Sequence, residues 1–183
     1  MGVKGEKTKE FICEVAKGLF VAKGYKAVTM QEICDATKLS KGGLYRHYKS
    51  KEEIFLAVLD RSGIGTKEME EGTTARQTLE AYLEHYRIEM LDTKNSLAFA
   101  LFEYASLGNE EIFLRGMGED RKRWKQIIEN GIASGEFREV DPEVVMDSFL
   151  YAYRGVCMWK QVLPIDVTTM DHLIEAVRCM VLK

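Results

Sequence analysis

Residues 40–51, Ser-Lys-Gly-Gly-Leu-Tyr-Arg-His-Tyr-Lys-Ser-Lys, place cations, hydroxyls, a flat aromatic ring and two residues without side chains on one short stretch. This is chemistry for touching a polyanion rather than for making or breaking bonds. Cations and hydroxyls position a protein on phosphate and sugar, and the same donors read base edges at close range. A glycine inside a helix costs about 1 kcal/mol relative to alanine. Gly42 and Gly43 therefore make sense where backbone must approach a second surface closely, the bland alternative being a small surface helix with incidental glycines. Ser40, Lys41, Gly42, Gly43 and Tyr45 are accordingly assigned to base edges and sugar-phosphate, and His47 and Lys51 to flanking phosphates. Thr29 and Gln31, at the head of the preceding helix, join the DNA-binding set.

These side chains need a frame, and residues 29–53 spell one out. Thr29-Met30-Gln31-Glu32 and Ser50-Lys51-Glu52-Glu53 have the form of capping boxes, and Ser40 can cap a helix between them. Three helix starts in so short a span describe a helix-turn-helix with a further helix behind it. Upstream, Phe11, Ile12, Val15, Ala16, Leu19 and Phe20 recur at helical spacing and predict a first helix over 7–23, closed by Gly24 and preceded by a loose basic arm over 1–7. The expected product is a three-helix, homeodomain-like unit.

The stretch resembles the DNA-binding signature of TetR-family transcriptional regulators. The resemblance is carried by Thr29, Ile33, Cys34, Ser40, Gly42, Leu44, Tyr45, His47, Tyr48, Lys51 and Glu52 and covers residues 11–59. Three positions depart from the family pattern. Lys38 stands where the turn commonly has glycine and must adopt a left-handed conformation, at a cost of about 1–2 kcal/mol; Thr37 replaces a usual alanine; Gly43 replaces a common threonine and removes one base-reading side chain. The resemblance implies a ligand-responsive regulator, a repressor that holds a palindromic operator as a dimer. A small molecule in the C-terminal domain then moves the helix over 51–62 and spoils the half-site spacing.

Charge is consistent with a DNA-facing end. The net charge of -3 conceals a balance of +6 over residues 1–51 and -9 over residues 52–183, the footprint of a chain that presents one end to a polyanion. With 183 residues and 46% hydrophobic content, the chain is long enough for a sizeable core. Two prolines and the absence of alternating β-branched runs predict an all-α fold. Cys13, Cys34, Cys157 and Cys179 lie in apolar helical contexts without ligand spacing and read as buried, reduced thiols. A redox role for Cys157 or Cys179 stays open. The polar amino terminus and the lack of a long apolar run predict a cytoplasmic protein.

The organisation expected is a helix-turn-helix DNA-binding domain over 1–50, a connecting helix and hinge loop over 51–72 with the hinge at Gly63–Gly72, and an effector-binding and dimerisation domain over 73–183. Helices are expected over 74–91, 94–107, 109–134 (interrupted near Gly116–Gly118), 142–161, and from a Thr168 or Thr169 cap to Leu182. Ser148–Trp159 is apolar almost all round and must be covered on two sides. By resemblance, the last two helices pair with their symmetry mates to make a homodimer.

Tyr82, Tyr86, Met90, Phe99, Phe102, Trp124, Phe149 and Tyr153 supply enough aromatic and Met surface to line an effector pocket, or simply to fill a core. Glu103 and Arg154 sit among apolar neighbours, so each must find a counter-charge. Either they pair with each other, or one of them borders the pocket. No triad, P-loop or dinucleotide turn is present, so no enzyme and no cofactor are expected. His85 and Glu89 offer two metal ligands but no third, and no metal site is assigned. A dimeric scaffold or adaptor using the helical body for protein contacts is the rival function.

Overall fold

The computed structural model describes residues 3–62, 74–92 and 96–183. Nine helices are found among them: α1 (Val3–Ala27), α2 (Met30–Thr37), α3 (Lys41–His47), α4 (Lys51–Arg61), α5 (Ala75–Leu91), α6 (Ala98–Ala105), α7 (Glu110–Ala133), α8 (Pro142–Trp159) and α9 (Val167–Val181). The only β pairing among the described residues is an isolated bridge between Phe137 and Leu182. The expected hinge at Gly63–Gly72 lies outside the described residues.

Helix α1 starts earlier than its apolar stripe, so residues 3–7 are helical rather than a loose arm. Its helical geometry breaks at Gly24 (φ 78, ψ 176) before one more turn. The inward stripe is Ile12, Cys13, Ala16 and Phe20, whereas Phe11 is 46% exposed. Arg61 at the end of α4 pairs with Glu6 and Glu10 and holds α4 along α1. Thr29 and Glu32 form the anticipated capping box. At α4 the box is displaced: Ser50 Oγ accepts from the Glu53 amide at 3.1 Å, but the Glu53 carboxylate reaches back to the Lys49 amide.

In the body, Thr74 caps α5 and Asp141 with Pro142 opens α8. Helix α6 is shorter than the expected 94–107, and α7 runs unbroken through Gly116 and Gly118. The cap of α9 is Asp166, which accepts from the Thr169 amide at 3.0 Å. An aspartate out-competes the two threonines because its charge also meets the positive end of the helix dipole. After α7, Gly135 (φ 77) turns the chain so that Phe137 folds back over Gly131 and is buried.

Two apolar cores result. The first gathers Ile12, Phe20, Ile33, Leu44, Ile54 and Phe55 from α1–α4, together with Leu97, Ala100 and Tyr104 around α6. The second gathers Leu83, Tyr86, Trp124, Phe149, Ile174 and Val177 from α5, α7, α8 and α9. Each fully buried large side chain contributes roughly 1.5–3 kcal/mol. Helix α6 therefore follows α5 in sequence but packs with the α1–α4 core. Cys13, Cys34 and Cys157 are buried as expected, but Cys179 is exposed, because it falls off the inward stripe of α9. No described helix is long and apolar enough to cross a membrane.

Candidate nucleic-acid interface

The turn between α2 and α3 is set by backbone chemistry. Thr37 Oγ1 donates to the Ile33 carbonyl at 2.7 Å, and Lys38 takes the left-handed conformation (φ 59, ψ 18) required of it. Ser40 then caps α3, its hydroxyl accepting from the Gly43 amide at 3.1 Å. Leu44 and Tyr48 anchor α3 inward, and the Tyr48 hydroxyl lies 3.2 Å from Cys13 Sγ on α1. A residue two positions from Leu44 is rotated by roughly 200°, at 3.6 residues per turn. Gly42 and Arg46 therefore form the pole opposite the core, and both are exposed. Around Gly42 nothing lies within 4 Å of where a Cβ would sit, so that face is open for another surface.

Lys41 and Ser40 are exposed beside this pole, while Gly43, Tyr45 and His47 flank it half-buried. Thr29 spends its hydroxyl on the α2 cap, and Gln31 Nε2 donates to Asp35 at 2.9 Å. Lys51 is the largest departure in this set. Its ammonium is turned away from the open face and donates to the Tyr25 carbonyl at 2.7 Å and the Lys26 carbonyl at 3.5 Å. Burial depresses its pKa, opposed by the nearby carboxylates of Glu103 and Glu32. Arg46 is absent from the assigned set although it points most directly outward. Leu44 as the buried anchor would have identified it, because the helical offset follows from that one residue.

The residues assigned to an effector pocket divide. Tyr82, Tyr86, Met90, Trp124, Phe149 and Tyr153 come together in the second core. There Trp124 Nε1 donates to the Tyr86 hydroxyl at 3.2 Å, and the Tyr153 hydroxyl donates to Glu89 at 2.6 Å. Arg154 faces Asp120 at 3.7 Å. Burial raises the Asp120 carboxyl above its ordinary pKa, against the opposing pull of Arg154 and Arg123. Glu103, Phe99 and Phe102 lie elsewhere, on α6. Glu103 accepts from the Lys26 amide at 2.9 Å, so it is not the partner of Arg154, and Phe102 is 53% exposed. Asp120 and Glu89 complete the polar side of the aromatic cluster. Asp120 did not stand out in the sequence and Glu89 did so only beside His85, because their partners Arg154 and Tyr153 lie on another helix. His85 meets Glu89 at 3.5 Å, and no group of three or more metal-ligating side chains occurs among the described residues.

Comparison with known proteins places this geometry. The family described as "Bacterial regulatory proteins, tetR family" matches residues 12–58, the span that contains α2 and α3. The chain is 29% identical over 160 residues to the HTH-type transcriptional repressor KstR2 of Rhodococcus jostii (strain RHA1), covering 78% of this chain and 74% of that one. Its fold matches a TetR transcriptional regulator from Chloroflexus aurantiacus J-10-FL with a TM-score of 0.79 at 25% identity, over 98% of both chains. It also matches a regulator from Saccharomonospora viridis in complex with choline, with a TM-score of 0.81 at 17% identity, over 97% of this chain and 99% of the other. These relatives are regulators rather than scaffolds or enzymes. Residues 12–58 thus match the TetR family, and over most of its length the chain is similar to DNA-binding transcriptional regulators, TetR-type ones among them.

Proposed function

We propose that the protein is a repressor that binds a palindromic operator as a homodimer and releases it when a small molecule enters the aromatic cluster of the body. The observation that carries the DNA half of this reading is the open pole of α3, where Arg46, Lys41 and Gly42 face away from the core fixed by Leu44 and Tyr48. In this reading residues 1–50 form the DNA unit, residues 51–72 connect it, and residues 73–183 bind effector and partner. Tyr45 and Lys41 meet base edges, with His47 on phosphate.

The dimer surface is the outward stripe of α8. Val144, Ser148, Tyr151, Gly155 and Trp159 follow at helical spacing, with Tyr151 62% and Trp159 59% exposed. Exposed apolar surface of this size on one helix face is costly in water and suits a two-fold partner. Such a dimer presents two α3 helices to half-sites roughly 34–36 Å apart. For the effector, Tyr82, Tyr86, Trp124 and Tyr153 with Asp120 and Arg154 offer an aromatic wall and two opposite charges. The choline carried by the Saccharomonospora neighbour shows only that this fold can hold a small organic ligand.

The deciding experiment is selection of bound duplexes from a random DNA pool, followed by titration of the recovered sequence at several salt concentrations. A palindrome bound by a dimer, with affinity falling steeply in salt, is the expected result. Weak, sequence-independent binding would overturn the reading.

A further inference from the structure

Helix α6 meets the DNA unit through two adjacent side chains. Glu103 Oε2 accepts a hydrogen bond from the Lys26 amide at 2.9 Å, and the Tyr104 hydroxyl donates to Glu52 at 2.7 Å. The Tyr104 ring also lies 4.9 Å from that of Tyr25 and 5.2 Å from that of Phe55. The backbone at the end of α1 is shaped to receive Glu103. Gly24 sits at φ 78, and a Cβ there would overlap Glu103 Oε2 and stand 2.8 Å from Phe99. From the opposite side Lys51 Nζ holds the Tyr25 carbonyl. Residues 24–26 are thus gripped between α6 of the body and the start of α4.

We propose that Glu103 is a positioning residue for operator binding: its grip on the Lys26 amide carries the placement of α6 to α1, and so sets the spacing of the two reading helices in a dimer. This rests on the regulator reading above. A carboxylate on a backbone amide is a charge-assisted, directional contact. The Lys26 amide must follow Glu103 or lose that acceptor. Helix α1 in turn carries the anchor of α3, through Cys13 against Tyr48. Helix α6 also packs on α7 and α8, with Ala98 against the body core, so a rearrangement of the aromatic cluster reaches it directly.

The test uses the full-length protein and the selected palindrome, the same palindrome with its spacer lengthened or shortened by one base pair, and a single half-site. Glu103→Ala is expected to weaken binding to the optimal palindrome about tenfold, the scale of one hydrogen bond to a charged group. It leaves half-site affinity unchanged and flattens the preference for spacing, while Glu103→Gln, which still offers an acceptor oxygen, restores both. A folded Glu103→Ala protein with unaltered spacing preference overturns the proposal. Amide exchange at Lys26 in the unaltered protein provides a second readout that needs no variant to fold. Protection that tracks the α6 amides supports the grip, and fast exchange overturns it. If the unaltered protein selects no palindrome, the operator reading falls, and exchange at Lys26 alone decides whether Glu103 positions α1.

Discussion

The ammonium of Lys51 lies 2.7 Å from the carbonyl oxygen of Tyr25 and 4.3 Å from the centre of that residue's ring. A cation at the head of α4 thus closes the carbonyl end of α1, and the same ring packs against Phe55 and Tyr104. A residue assigned to phosphate is also a strut between two helices of the DNA unit.

Replacing Lys51 by alanine should therefore do two things. The carbonyls of Tyr25 and Lys26 lose a charged donor in a half-buried site, which lowers stability by about 1 kcal/mol. If the ammonium swings out to phosphate when DNA arrives, binding to all sequences weakens and the salt slope falls by about one. Chemical unfolding and salt titration separate the two effects. An unchanged slope with reduced stability assigns Lys51 to the strut alone.

Arg46→Ala should leave folding untouched, because the side chain is exposed on the pole opposite Leu44. Discrimination at one base position should relax by about 1–3 kcal/mol. Competition binding with single-base operator variants measures this. Uniform weakening at every position would place Arg46 on phosphate instead.

Trp159→Glu should convert the dimer to a monomer in sedimentation velocity, since the outward stripe of α8 ends on that exposed ring. The thermal transition of the second core should change little, because Trp159 lies outside it. A dimer that survives this substitution places the interface on another face.

Gly131→Ala tests the α7–α9 corner. In an open helix the change would stabilise by about 1 kcal/mol through propensity. Here the added methyl would overlap the buried ring of Phe137, which has no room to retreat beneath the Phe137–Leu182 bridge. Overpacking of this kind costs about 1–3 kcal/mol, so the steric effect wins and the net change is destabilising. Urea unfolding that shows a gain would refute the packing described for Phe137.

Asp120 makes a pH prediction. Burial holds its folded-state pKa above the ordinary 3.8, with Arg154 and Arg123 only partly offsetting the effect. Its contribution to stability is therefore present in full below 3.8 and lost as pH rises through the folded-state value. The Asp120→Asn protein, which cannot ionise there, should gain on the unaltered protein as pH climbs out of the acid range. Parallel unfolding curves across that range for the two proteins would show that Asp120 is not desolvated.

The sequence by itself determined the all-α class, the capping box at Thr29, the Ser40 cap of α3, the left-handed turn at Lys38 and the start of α8 at Asp141-Pro142. The fold class is read from the whole composition and the turn at Lys38 from the family resemblance, whereas the three helix starts are settled by residues within four positions of each other, so that information is local. The same locality explains the errors in detail. Asp166 displaced Thr168 and Thr169 as a cap, and the Glu53 carboxylate chose the Lys49 amide over its own cap, because neighbouring groups compete for one donor on small energy differences. Only the tertiary structure decided where the charges in apolar surroundings went. Glu103 could have met Arg154 or a ligand on sequence grounds, but it meets an amide 77 residues away, and Lys51 turns to a carbonyl 26 residues away. Arg154 likewise faces Asp120 across two helices. A half-buried charge takes whichever partner the packed helices bring within reach. That choice depends on how α6 lies along α1, which no local spacing encodes.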